Sequence, residues 1–223
     1  MGIKSTILLV GALAFSAVAA PIPDDCPNAP EVEQPPTTTT GLTAEKLTLI
    51  APETASCSGA TFADECADAA KAVTALNKSF ETYKITEPSE QAALVAYTLF
   101  ESGNYKYSRN HYPGRPGQGT RMMAMPPFVS KYATAVAGAD KVAEAEAAGG
   151  DAGLNAVLAL VNSDDEKSFG SAAWFLSTQC TAEVRAGLAA GTVEGWHEFL
   201  TACVETTAAP ERDTIWDATK LNW

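Results

Sequence analysis

Ala92-Ala93-Leu94-Val95-Ala96-Tyr97-Thr98-Leu99-Phe100 is the stretch on which the fold turns. A helix built from it is apolar nearly all round, and such a helix belongs in the centre of a domain rather than on its surface. Pro88-Ser89 opens it, Glu90 to Phe100 form its body, and Ser102-Gly103 is its stop. The elements on either side must then cover it.

Outward from this segment the pattern stays helical. Thr43 can cap a short helix through Leu49. A longer one spans Phe62 to Tyr83, where Ala69, Ala72, Val73, Leu76 and Phe80 recur at three and four residues. Downstream, Pro126-Pro127 starts a helix to Val136, and Gly149-Gly150 separates two further candidates. Ala-rich helices follow near 151–161, 166–178, 181–189, 192–205 and 210–219. Trp174, Trp196, Trp216 and Trp223 fall in these segments and read as core anchors. No strand shows sustained alternation, although 104–121 has room for a short hairpin. The expected fold is all-α: a single helical domain over 43–223.

Composition agrees. Of 223 residues 46% are hydrophobic and 19% charged, enough to bury a core. With 27 acids against 15 Lys and Arg, the chain lacks the basic footprint of a general nucleic-acid binder.

The first residues read as an address. Lys4 precedes an apolar run from Ile7 to Phe15 and the small residues Ser16-Ala17-Val18-Ala19-Ala20, the pattern of a secretory signal peptide. Cleavage after Ala19 makes 1–19 the signal. Residues 20–42 then hold six of the thirteen prolines and a Thr37-Thr38-Thr39-Thr40 run, a Pro/Thr-rich tail open to O-glycosylation. No later stretch is apolar enough to span a bilayer, so the mature chain is expected to be secreted, monomeric and free of the membrane. In that oxidising setting Cys57, Cys66, Cys180 and Cys203 read as disulfide formers, with Cys57–Cys66 and Cys180–Cys203 the preferred local pairing and Cys26 left over. Asn77-Lys78-Ser79 is a sequon for N-glycosylation.

Chemistry concentrates in one irregular segment. Between Gly103 and Ala139 there is no Asp or Glu, whereas Lys106, Arg109, Arg115, Arg121, Lys131 and His111 lie there. Tyr105, Tyr107, Tyr112 and Tyr132 join them, four of the six tyrosines. Tyrosine and arginine offer flat faces and directed donors to polar ligands such as sugars. The competing reading is a solvated loop whose cations balance acids elsewhere. Glu101 enters this loop from the end of the apolar helix, at the negative pole of the helix dipole. Dipole and apolar surroundings both favour the protonated form, which is what a general acid needs near neutral pH. Its competing reading is an ion pair with Arg109 or Arg121.

Leu99-Phe100-Glu101-Ser102-Gly103, followed by Gly117-Gln118-Gly119-Thr120-Arg121-Met122-Met123-Ala124-Met125-Pro126, resembles the lysozyme-like superfamily, above all goose-type lysozymes and lytic transglycosylases. In that family a helix ends in a catalytic Glu-Ser, and a Gly-rich stretch leads into a Leu-Met-Gln segment. Met123 stands where the family's glutamine is usual. The resemblance covers 89–135. It implies cleavage of a β-1,4-linked amino-sugar polymer, with Glu101 protonating the glycosidic oxygen. Tyr105, Tyr107, Arg109, His111, Tyr112, Arg115, Gln118 and Arg121 would bind the substrate.

A second carboxylate is usual in glycosidases, and Asp164-Asp165-Glu166 is the nearest-looking cluster. Acids in that position also read as a helix start. Two histidines without a His-x-x-x-His spacing give no support to a catalytic metal, and no cofactor motif is present. His197 reads as an ordinary helix histidine. The leading expectation is therefore a secreted glycosidase of the muramidase type acting on peptidoglycan, with chitin or chitosan as the substrate alternative. A non-catalytic helical protein that binds cell-wall glycan or an apolar ligand is the alternative of a different class. An effector or inhibitor directed at another protein is the third.

Overall fold

The apolar segment forms helix α3, Pro88–Glu101, in a computed structural model that describes residues 41–223. Pro88 sits at its first turn, where a missing N–H costs nothing. Every residue from Ala92 to Leu99 is buried. Glu90 is buried too, and Arg185 satisfies it with a forked pair of hydrogen bonds, Nε to Oε1 at 2.8 Å and Nη2 to Oε2 at 3.0 Å.

The chain is all-α. Around α3 stand α1 Ala44–Ile50, α2 Ala69–Tyr83, α4 Pro126–Ala137, α5 Ala139–Glu146, α6 Gly150–Val161, α7 Asp165–Gln179, α8 Ala182–Ala189, α9 Val193–Glu198 and α10 Pro210–Leu221. Helix α3 packs against α10, α8 and α7, while α2 lies along α7 and α4 lies along α6. Thr43, Asp68, Asp164, Thr181 and Thr192 each cap a helix by accepting a backbone N–H at the third helical position. Asp164 thus has its explanation as a helix start. Trp174, Trp196 and Trp216 are core residues, and Trp223 packs partly buried against the core.

Three expectations are corrected. Helix α2 starts at Ala69 rather than Phe62, because 57–66 is a loop closed by the disulfide Cys57–Cys66 and the helix has its N-cap at Asp68. The 192–205 helix is broken into α9 and a π-helical turn, Phe199–Cys203, whose last residue bonds to Cys180. In 104–121 no hairpin strand forms. Only isolated bridges link Arg109 to Gly119 and Gly119 to Ala124, since the prolines and glycines at 113–117 supply too few ladder groups.

Helix α7 is as buried as α3, from Ser168 through Leu176. Its serines disguise this in the sequence: Ser168 and Ser171 are buried with their hydroxyls donating to Asn162 Oδ1 and Ser168 O. Among the described residues no helix is long and apolar enough to cross a membrane. The expected signal at 1–19, the tail up to residue 40 and Cys26 lie outside the described residues.

Candidate functional site

Helix α3 ends by turning its last carboxylate into a hollow. Ser102 closes the helix, its Oγ donating to Thr98 O at 2.6 Å and accepting from Tyr105 N. Gly103, Asn104 and Tyr105 then all adopt left-handed backbone, which reverses the chain sharply enough to leave Glu101 at the edge of the loop. Two hollows of about 250 Å³ adjoin there, and Glu101, Gln118 and Met123 line both. One has largely apolar walls, formed by Tyr97, Met122, Met125, Phe128 and Phe175, and is closed by Val204, Glu205 and Thr206. The other is polar and aromatic, with Tyr107, Arg109, Asn110, His111 and Tyr112.

Glu101 pairs with neither Arg109 nor Arg121. Its partner is Arg212 of α10, whose Nη2 donates to Oε1 at 2.6 Å. The guanidinium lies 4.1 Å from the Phe100 ring centroid, and its Nη2 also donates to Thr206 Oγ1 at 3.2 Å. With only 18% of the Glu101 side chain exposed and 7% of that of Arg212, the pair is largely out of water. Burial raises the Glu101 pKa above the ordinary carboxylate value, and the charge and hydrogen bond of Arg212 pull it back only in part. Tyr97 beside it is pushed well up, by burial first and then by Glu101.

The basic loop is held from beneath by an acid that no motif marks in the sequence. Glu65 is buried, and its Oε2 accepts from Ser108 N at 2.8 Å and Arg109 N at 3.1 Å. Its Oε1 meets Arg109 Nε at 2.9 Å and His111 Nε2 at 2.8 Å. The His111 ring stacks on Phe62 with centroids 3.6 Å apart. Arg109 and His111 therefore line the polar hollow while anchored to Glu65.

Two expected substrate contacts are corrected. Tyr105 is 0% exposed, its hydroxyl paired with Thr98 Oγ1 at 3.1 Å. Arg121 is 2% exposed, and it donates to Tyr105 O, Tyr107 O and Glu65 O at 2.7–3.1 Å. Both residues lie under the loop and set its path, because the reversal after Ser102 sends the Tyr105 ring into the core. Burial lowers the Arg121 pKa to about 10, which leaves the group charged at neutral pH.

Tyr107, Arg109, His111, Tyr112 and Gln118 do face the hollows. Arg115 is at the rim, its Nη1 lying 3.8 Å from Met125 Sδ. Gln118 spans both sides, accepting from Asn110 Nδ2 and donating to Met123 O. Gly119 is required where it stands, because a Cβ there would lie 2.5 Å from Ser108 O.

Asp164, Asp165 and Glu166 open elsewhere, into a hollow shared with Tyr83 and Tyr132, so they cannot serve Glu101. Asn77 sits mid-helix in α2 with its amide donating to Leu42 O at 2.9 Å, a bond that a glycan would work against. His197 is held by Asp213 at 2.9 Å. Among the described residues there is no cluster of three metal-ligating side chains. Arg212 carried a legible signal: with Trp216 and Thr219 it occupies the buried stripe of α10, an unusual place for an arginine. Glu205 and Glu65 carried none.

No family model matches the chain. No solved structure matches it. It is similar to a bifunctional dioxygenase (DOX)-epoxy alcohol synthase (EAS) of Fusarium oxysporum (strain Fo5176), at 37% identity over 142 residues. The match takes in 59% of this chain but 10% of that protein, so the chain spans only a small fraction of the length of its relative.

Proposed function

We propose that this chain is a secreted glycoside hydrolase of lysozyme-like type, cleaving a β-1,4-linked amino-sugar polymer, peptidoglycan first and chitin or chitosan second. One observation carries the reading. Glu101 stands where two hollows meet, so a polymer laid through both would bring its linkage to a carboxyl that burial keeps protonated to higher pH. The aromatic and cationic wall at Tyr107, Arg109 and Tyr112 suits sugar rings and their polar substituents. Disulfides at Cys57–Cys66 and Cys180–Cys203 fit a chain that matures outside the reducing cytosol.

A second reading keeps the site and removes the chemistry. Arg109 and His111 are engaged by Glu65, so the loop could be a rigid platform that binds wall glycan without cutting it. The activities in the name of the Fusarium protein are those of a far longer chain, of which the matched segment is 10%.

Release of soluble fragments from purified peptidoglycan and from chitosan separates the readings. Wild type should turn over at least one polymer, and Glu101→Gln should lower kcat about 100-fold or more. Turnover should be retained while Glu101 is protonated and lost as pH rises through its raised pKa. Equal binding by both proteins with no cleavage would leave the platform.

A further inference from the structure

We propose that Glu205 is the second carboxylate of the site, the base that activates water in the hollow it lines together with Glu101. The inference rests on the glycosidase reading. Among the described residues lining the two hollows, Glu101 and Glu205 are the carboxylates, and they reach the same hollow from segments far apart in the chain. Their settings differ in the way a two-carboxylate site requires. Glu101 is buried and paired, whereas Glu205 is exposed and its carboxylate makes no ion pair or hydrogen bond among the described residues. The hollow that both line, about 250 Å³, has room for a nucleophilic water beside a sugar ring.

The backbone at Glu205 is fixed by the end of the π-helical turn. Its φ is +61°, the left-handed conformation with which a helix commonly ends, here at the residue after the cap of the π-helical turn, and it carries the chain from that turn to the hollow. Neighbouring contacts hold it there. Val204 N donates to Phe199 O at 3.0 Å and Thr206 N to Leu200 O at 2.8 Å, while Cys203 is tied to Cys180. Arg212 closes the arrangement from α10, donating through one nitrogen to both Glu101 and Thr206. The acid and the segment carrying the base thus share one rigid anchor.

The step balances without any further reactant. Glu101 gives its proton to the glycosidic oxygen as the C1–O bond breaks, and the bonding pair leaves with that oxygen. Glu205 takes a proton from water, and the water oxygen forms the new bond to C1 on the opposite face. One water is consumed, the anomeric configuration inverts, and proton exchange with solvent restores Glu101-H and the Glu205 carboxylate.

The test uses the full chain with chitosan and with peptidoglycan as substrates, comparing wild type, Glu101→Gln, Glu205→Gln, Glu205→Ala and Glu205→Gly. Glu205→Gln should lose about 100-fold in kcat with KM little changed. Sodium azide, a nucleophile that needs no base, should restore turnover to Glu205→Ala and give an inverted glycosyl azide, but should not rescue Glu101→Gln. Glu205→Gly relieves the left-handed strain, so it should melt no lower than wild type while remaining inactive, an outcome that a purely structural role forbids. Wild-type kcat in Glu205→Ala beside an inactive Glu101→Gln would overturn the assignment and leave the glycosidase reading standing. An inert wild type would overturn both.

Discussion

A carboxylate 2.6 Å from a guanidinium ordinarily titrates low, and Glu101 does the reverse because the pair sits against Phe100 and Tyr97 rather than in water. Desolvation outweighs the attraction, so the proton is held to higher pH. Arg212→Met tests that balance. Without the cation the carboxyl keeps its burial and loses its partner, so its pKa rises further and, on the proposed chemistry, the alkaline limb of activity moves to higher pH. The sign for stability comes from linkage. A folded-state pKa raised above the unfolded value contributes stability that is present below the unfolded pKa and lost as pH rises through the folded one. Arg212→Met should therefore melt close to wild type near pH 4, where the raised pKa keeps the carboxyl mostly protonated in both proteins. Near pH 7.5 it should be destabilised by about 3 kcal/mol, the usual cost of orphaning one member of a largely buried pair. Thermal melts at the two pH values read the difference. A deficit that does not change with pH would mean that Arg212 acts by packing alone.

Between elements, α8 and α9 cross closely enough at Gly187 and Gly195 to leave no room for a side chain on Gly195. A Cβ on Gly195 would lie 2.0 Å from Gly187 O, a distance no relaxation of side chains can relieve, because the obstacle is backbone. A Cβ on Gly187 would meet Gly195 Cα at 3.4 Å, ordinary contact. Gly195→Ala should therefore destabilise by about 3 kcal/mol or more, and Gly187→Ala by less than about 1 kcal/mol, helped by the better helix propensity of alanine. Urea titrations of the two variants check the asymmetry. The same crossing holds α9 and the π-helical turn after it, so Gly195→Ala should also disturb the wall at Val204–Thr206 and, on the proposed chemistry, lower turnover in proportion.

Across the whole molecule, the two disulfides close loops of sequence separation 9 and 23. Loop-closure entropy assigns each about 3 kcal/mol. They differ in what they hold. Cys57–Cys66 braces the segment carrying Phe62 and Glu65 under the polar hollow, and Cys180–Cys203 braces the segment leading into Glu205 beside the apolar one. Replacing either pair by alanine should cost comparable stability in thermal melts. On the proposed chemistry, loss of Cys180–Cys203 should lower kcat, whereas loss of Cys57–Cys66 should raise KM through the loop at 107–112. Equal effects of the two on both constants would argue against that division.

The sequence by itself determined the helices, because the information is local. Thr43 capping α1, the proline opening of α3, the stop at Ser102-Gly103 and the buried stripes through Trp196 and Trp216 are all set by neighbours a turn or two away. Glu101 at the mouth of an irregular basic loop was legible for the same reason. What only the tertiary structure decided is which charges meet. Arg212 lies 111 residues from Glu101, and Glu65 lies 46 from His111, distances at which periodicity carries no record of pairing. Tyr105 and Arg121 look like ligand-binding residues in one dimension and are core residues in three, because left-handed backbone at 103–105 turns the loop inward after α3. Helix-forming tendency is written residue by residue, but burial, and with it every shifted pKa, exists only once distant faces have packed together.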